Sequence, residues 1–141
     1  MSQASWLRQG RIVDGSLNPA WVGDLLIVGD RIQAVGPDCE AQAANLAHVT
    51  TVDCSGKVIA PGFIDVHTHD DAAVLDKPDM LPKLSQGVTT VIVGNCGISL
   101  LPLVTDAPAA PLSLLGKSQF RFPRLSDYMA AVDAMVPGVN V

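Results

Sequence analysis

The sequence predicts an α/β protein in which a small antiparallel sheet unit, residues 1–60, precedes a unit with a parallel sheet, residues 61–141. Two observations carry this prediction. The first part contains the signature of a tight β-hairpin, and the second contains a strand, a short helix and a β-branched strand in succession. A His-X-His triplet closes the first strand of the second part, which directs attention to metal chemistry.

The composition is that of a globular protein that acts on small molecules. Of the 141 residues, 48% are hydrophobic and 16% are charged, enough for one ordinary core. The net charge of −5 argues against nucleic acid or an anionic membrane surface as partners. Three cysteines without framework spacing argue against a disulfide-stapled secreted fold, and no apolar run approaches the length of a membrane span. We therefore expect a cytoplasmic protein.

Three strands are predicted in the first half of residues 1–60. Residues 6–13 alternate polar and apolar side chains. Residues 25–28 and 31–35 are apolar or alternating, and Gly29-Asp30 joins them. A two-residue loop with glycine first suits a type II′ turn, so these two strands are expected to form an antiparallel hairpin.

The second half of this unit is less regular. The Ala-rich residues 41–47 predict a loose helical turn, and His48 is expected to be an ordinary surface histidine because no acid or thiol adjoins it. Residues 50–53 and 57–59 predict two further short strands. The whole unit is therefore expected to be antiparallel β.

A short apolar strand at residues 63–66 opens the second unit, directly after Pro61-Gly62. Successive side chains of a strand alternate between faces, so His67 and His69 are expected on the same face, with Asp65 of the same parity behind them. Two imidazoles on one face can share a divalent transition ion. The alternative is a chance histidine pair on an exposed strand end.

The strand at residues 88–93 is a continuous β-branched run, as expected of a parallel strand buried on both faces, and a short helix at 78–84 precedes it. It ends in Gly94-Asn95-Cys96-Gly97, where the backbone can turn tightly. Ligands of parallel sheets bind at the carboxyl ends of strands. If Cys96 meets the two histidines there, the three form a zinc site with an open position. The alternative is a buried structural cysteine.

The remaining residues carry no further ligand pattern. Residues 105–123 hold three prolines without a period and predict a long loop. A final helix is expected to be capped by Ser126 and to bury a stripe made of Leu125, Tyr128, Met129, Val132, Met135 and Val136. Residues 139–141 predict the start of another strand, so we expect this chain to be the N-terminal piece of a longer protein.

With these motifs in place, the chain resembles the amidohydrolase superfamily, and within it the N-acyl-D-amino-acid deacylases. The resemblance lies in Pro-Gly-Phe-Ile-Asp-Val-His-Thr-His-Asp-Asp at residues 61–71 and Ser-Gln-Gly-Val-Thr-Thr-Val-Ile-Val-Gly-Asn-Cys-Gly-Ile-Ser at residues 85–99. It implies a (β/α)8 (TIM) barrel, whose first strands and helices are residues 61–141. Residues 1–60 are then the N-terminal part of a β-sandwich domain.

The resemblance also implies the site. His67, His69 and Cys96 would be metal ligands for zinc, one or two ions in the complete protein. Asp65, Asp70 and Asn95, which adjoin them, are candidates for supporting these ligands. A catalytic aspartate would lie beyond residue 141, so no catalytic residue is expected within this piece.

The implied reaction is metal-dependent hydrolysis of the amide bond of an N-acyl-D-amino acid to a carboxylate and a D-amino acid. The piece alone is expected to be inactive and to self-associate, because its apolar parallel strand at residues 88–93 lacks later neighbours. Two alternatives stay open: a cyclic amidohydrolase of the dihydropyrimidinase or hydantoinase kind, and a non-catalytic metal-binding fragment.

Overall fold

The computed structural model describes residues 3–116 and 119–141. The chain divides into two compact units, Met1–Pro61 and Gly62–Val141. Both contain helices and strands, so the broad α/β class is confirmed. Among the described residues, no helix is both long enough and apolar enough to cross a membrane.

The first unit is one sheet with one helix against it. Its elements are β1 (Ala4–Ile12), β2 (Trp21–Val28), β3 (Arg31–Val35), α1 (Asp38–Ala43), β4 (Val49–Asp53) and β5 (Val58–Ile59). The strand order is β3-β2-β1-β4, and β5 also pairs with β1. The predicted hairpin of β2 and β3 is confirmed: Val28 pairs with Arg31, and Gly29 has a φ of 61°, as a type II′ turn requires.

The expectation that this unit is wholly antiparallel is wrong. Strands β4 and β5 both pair with β1 in parallel. Strand β3 already runs parallel to β1, because both are antiparallel to β2. Helix α1 then carries the chain back to the end of the sheet where β3 began, so β4 runs in the same direction as β3 and β1. The helix also begins earlier than the Ala-rich segment predicted, at Asp38. The described residues of this unit form a single sheet rather than the two sheets of a sandwich.

The second unit contains most of the shorter elements. These are β6 (Phe63–Asp65), α2 (Ala73–Asp76), α3 (Leu81–Leu84), β7 (Val88–Val91), β8 (Leu103–Val104), β9 (Arg121–Phe122) and α4 (Leu125–Met135), with 3-10 turns at Asn95–Gly97 and Leu112–Leu115. Its core includes Val74, Leu75, Val91, Leu100, Phe120, Phe122, Tyr128 and Val132.

Strands β6 and β7 are parallel neighbours, as expected of the strand-helix-strand succession. Asn140 adds a parallel bridge on the other side of β7, so the start of a third strand is also present. Burial on both faces, however, was a wrong expectation. Phe63 and Ile64 are 62% and 60% exposed, and only Val91 of β7 is fully buried. Phe63 and Ile64 point to opposite faces of β6, so the strand is largely exposed on both.

The predicted long loop at residues 105–123 is interrupted by structure. Strands β8 and β9 form a small antiparallel pair, and a 3-10 turn lies between them. Two-residue strands are too short to show a period in sequence, which is why the pattern missed them. Lys117 and Ser118, also within that prediction, lie outside the described residues.

Helix α4 differs from its prediction at the cap and in its burial. Arg124 is extended and occupies the N-cap position, while Ser126 lies inside the helix. Of the predicted stripe only Tyr128 and Val132 are buried, and Leu125 and Met129 are more than half exposed. The helix therefore contacts the core through a narrower strip than helical spacing alone indicates.

Candidate metal centre

Three side chains of metal-ligand type converge at the carboxyl ends of β6 and β7. One ligand atom each from His67, His69 and Cys96 lies within 4.8 Å of the other two. Nε2 of His67 is 2.9 Å from Sγ of Cys96, and the two imidazole rings meet edge to face with centroids 5.6 Å apart. All three residues are exposed to solvent. The structure thus brings together the three residues that the sequence singled out.

The two histidines do not lie on a strand, contrary to the expectation. Strand β6 ends at Asp65, and the chain then bends. Two hydrogen bonds still tie this segment to the chain beyond β7: Ile92 N–H donates to the Asp65 carbonyl at 2.9 Å, and Thr68 N–H donates to the Ile92 carbonyl at 3.3 Å. Thr68 is 6% exposed, so its inward side chain alternates with the two outward imidazoles as it would on a strand.

A left-handed turn presents the cysteine. Gly94, Cys96 and Gly97 have φ values of 78°, 57° and 68°, a region that glycine tolerates and a cysteine adopts only with strain. The Asn95 side chain donates to the Ile92 carbonyl at 2.6 Å and so braces the turn. Asn95 therefore supports the backbone near Cys96 rather than the sulfur itself.

The two predicted supporting carboxylates share one lysine. Nζ of Lys83 lies 2.7 Å from Oδ2 of Asp65 and 2.9 Å from Oδ2 of Asp70. The hydrogen bond from Lys83 lowers the pKa of the Asp65 carboxyl below its usual range, and the bond to Asp65 raises the pKa of Lys83. Lys83 was not predicted from the sequence, where it is one of two lysines between the first two strands of this unit, the other being Lys77.

Asp71 ties the two ligand-bearing loops together and was also missed. Its side chain is fully buried, and Oδ2 accepts a hydrogen bond from Gly94 N–H at 3.3 Å. Its carbonyl accepts a 3.0 Å bond from the hydroxyl of Tyr128, whose pKa is raised by burial. Oδ1 has no partner among the described residues. An aspartate beside a His-X-His motif looks solvent-exposed in sequence, which explains the omission.

The chemistry of the three donors fits zinc. Zinc accepts imidazole nitrogen and thiolate sulfur together, whereas Mg²⁺ and Ca²⁺ prefer carboxylate and carbonyl oxygen. The three side chains come from one solvent-facing edge, so a fourth position would be open to water or substrate.

Comparison with known proteins identifies the family of the chain. The model of the amidohydrolase family matches residues 50–141. The chain therefore belongs to the amidohydrolase family. Within it the chain is similar to deacylases of D-amino acids: it is 51% identical to a D-aminoacylase of Alcaligenes xylosoxydans xylosoxydans over 95% of its length, and 45% identical to an N-acyl-D-aspartate deacylase of the same organism over 99%.

Solved structures give the same picture. A D-aminoacylase with a binuclear metal centre superposes on 96% of this chain with a TM-score of 0.87 and 50% identity. An N-acyl-D-glutamate deacylase from Bordetella bronchiseptica, complexed with zinc and a phosphonate inhibitor, superposes on the whole chain with a TM-score of 0.84 and 42% identity. The chain spans 27% and 28% of the lengths of the two Alcaligenes relatives, and 28% and 29% of the two solved chains.

Proposed function

We propose that this chain supplies part of the metal site of a zinc-dependent hydrolase that cleaves N-acyl-D-amino acids to a carboxylate and a D-amino acid. The observation that carries the proposal is the convergence of His67, His69 and Cys96 within 4.8 Å of one another. The similarity to deacylases over nearly the whole chain supports the substrate class.

The fold belongs to the same proposal. The parallel pair β6 and β7, with the parallel bridge at Asn140, would form the first strands of a (β/α)8 barrel, and the first unit would form part of a β-sandwich domain. Barrel enzymes carry their sites at the carboxyl ends of the strands, where the three side chains lie. The superposition on a D-aminoacylase at a TM-score of 0.87 supports this arrangement.

In this proposal His67 and His69 hold the metal through ring nitrogens, and Cys96 holds it as a thiolate. When bound, zinc supplies Lewis acidity toward an amide carbonyl and makes water acidic enough to act as a nucleophile near neutral pH. The chain's own contribution is to aim its ligands from two neighbouring strand ends and to leave one side open to solvent. The proton transfer to the leaving amine is assigned to a residue outside this chain.

The test has two arms. The first measures zinc bound per chain by the 141 residues, with about one ion expected for wild type. The second assays the longer protein that contains this chain on N-acetyl-D-amino acids, N-acetyl-L-amino acids and hydantoins. Cleavage of the D-compounds alone is expected. Cleavage of hydantoins alone would overturn the substrate class in favour of a cyclic amidohydrolase, and absence of all hydrolysis would leave a metal-binding protein.

A further inference from the structure

Lys83 makes an unusually complete set of contacts for a lysine on a four-residue helix. Its Nζ lies 2.7 Å from Asp65 Oδ2, 2.9 Å from Asp70 Oδ2 and 3.3 Å from the hydroxyl of Thr68. An ammonium group has three donors, so each has a partner here. The Lys83 side chain is 24% exposed, which places the cluster partly out of solvent.

The partners of Lys83 flank both histidines of the candidate site. Oδ1 of Asp65 accepts a 3.2 Å hydrogen bond from the backbone N–H of His67. Thr68 separates the two histidines, and its hydroxyl donates to Asp70, the residue that follows His69. One ammonium group therefore holds the chain before His67, between the histidines and after His69.

Removing this positive charge would have two consequences. Two carboxylates that share one cation would repel each other once it is gone, since both carry a negative charge. Asp65 Oδ2 would also lose its Lys83 partner, and Asp70 Oδ2 would keep the Thr68 hydroxyl without the charge. A free carboxylate is a good oxygen ligand for a divalent cation, so Asp65 and Asp70 would become competitors of the imidazoles.

We propose that Lys83 is a positioning residue that holds His67 and His69 in convergence with Cys96 and keeps Asp65 and Asp70 out of the metal's ligand set. The inference rests on the proposed function, because it presupposes that the three side chains bind zinc. Lys83 is distant in sequence from the ligands. In this proposal it determines that nitrogen and sulfur atoms, rather than carboxylate oxygens, bind the metal.

The experiment compares metal affinity and ligand set in the 141-residue chain for wild type, Lys83→Met and Lys83→Arg. Lys77→Met is the matched control, since Lys77 is exposed and lies in the same unit. Zinc and Mn²⁺ affinities are measured by competition with a chromophoric chelator. Cobalt absorption reports the thiolate and the coordination number.

Lys83→Met is expected to weaken zinc binding about 10-fold or more, as loss of a partner behind the ligands commonly does. Its preference for zinc over Mn²⁺ should shrink, and its cobalt spectrum should shift toward higher coordination. Lys83→Arg should restore most of the affinity, and Lys77→Met should match wild type. Wild-type affinity and spectrum in a folded Lys83→Met variant would overturn the role of Lys83.

The two hypotheses fail in different ways. If wild type binds no zinc, or if Cys96→Ala binds it as well as wild type, the proposed site and the role of Lys83 both fall. If wild type binds through Cys96 and Lys83→Met is unaltered, only the role of Lys83 falls. Should Lys83→Met not fold by circular dichroism, Lys83→Gln, which keeps a donor without the charge, carries the same two outcomes.

Discussion

Nε2 of His67 lies 2.9 Å from Sγ of Cys96, although the two residues are 29 positions apart in the chain. This contact exists because β6 and β7 are parallel neighbours, which places their carboxyl ends about one strand spacing, roughly 4.8 Å, from each other. An antiparallel pairing of the same strands would put the histidines and the cysteine at opposite ends.

Replacing the cysteine tests the ligand set directly. Cys96→Ala should weaken zinc binding by about two orders of magnitude or more. Losing a residue that only supports a ligand already costs roughly 10- to 100-fold in metal affinity, and losing the ligand itself should cost more. His48→Ala is the control, since this exposed histidine lies in the other unit. Chelator competition measures both, and equal affinity in Cys96→Ala would remove the cysteine from the site.

The left-handed backbone at Cys96 predicts a gain in stability when its side chain is removed. With φ at 57°, the residue is strained by about 1 kcal/mol relative to glycine. Metal-free Cys96→Gly should therefore be more stable than metal-free Cys96→Ala by about that amount, while neither binds zinc well. Urea unfolding measures the difference, and equal midpoints would show that the turn carries no strain.

The hydrogen bond from Tyr128 to the Asp71 carbonyl predicts a pH dependence of stability. Burial raises the pKa of Tyr128 above its unfolded value of about 10, so the neutral phenol stabilises the fold. A raised folded pKa means that this contribution is complete below about pH 10 and is lost as pH rises further. Tyr128→Phe should cost about 1 kcal/mol at neutral pH and should lose less stability than wild type above pH 10.

Because the chain has a single tyrosine, the absorbance of phenolate reports Tyr128 alone. Wild type should ionise only at a pH well above that of the unfolded chain in urea. Ionisation at the same pH in both states would contradict the burial of the phenol.

Close packing of Gly62 against β7 predicts that the glycine cannot be enlarged. A Cβ at this position would overlap Oγ1 and Cγ2 of Thr89 and would lie 2.7 Å from its Cβ. Gly62→Ala should destabilise the second unit by about 1–3 kcal/mol, the usual cost of overpacking. The double variant Gly62→Ala with Thr89→Gly removes all three contacting atoms. Its loss of stability should therefore be smaller than the sum of the losses in the two single variants. Thermal unfolding of the three variants measures these losses. If the losses in the single variants add up to the loss in the double variant, the clash between residues 62 and 89 is refuted.

The exposed apolar side chains in and after β6 predict self-association of the 141-residue chain. Phe63, Ile64 and Val66 are each exposed by 60% or more, and apolar surface exposed in this way promotes association. Sedimentation velocity should show species that grow with concentration, and Ile64→Lys should reduce them. A monomer at all concentrations would rule this out.

Local sequence signals determined a large part of this molecule. The hairpin between β2 and β3 follows from alternation and a glycine-led turn, which act over a few residues. The strand-helix-strand order likewise identified the parallel pair, and the spacing of His67, His69 and Cys96 singled out three residues that the structure brings together. That these residues bind metal stays a prediction.

Tertiary structure alone decided the features that depend on distant partners. The parallel direction of β4 depends on the path of α1, and the two-residue strands β8 and β9 exist only because each pairs with the other. Lys83 contacts Asp65 from 18 positions away, and Asp71 is buried under Tyr128 from 57 positions away. The free energy of such contacts depends on which surfaces the folded chain brings together, and a local sequence pattern does not contain that information.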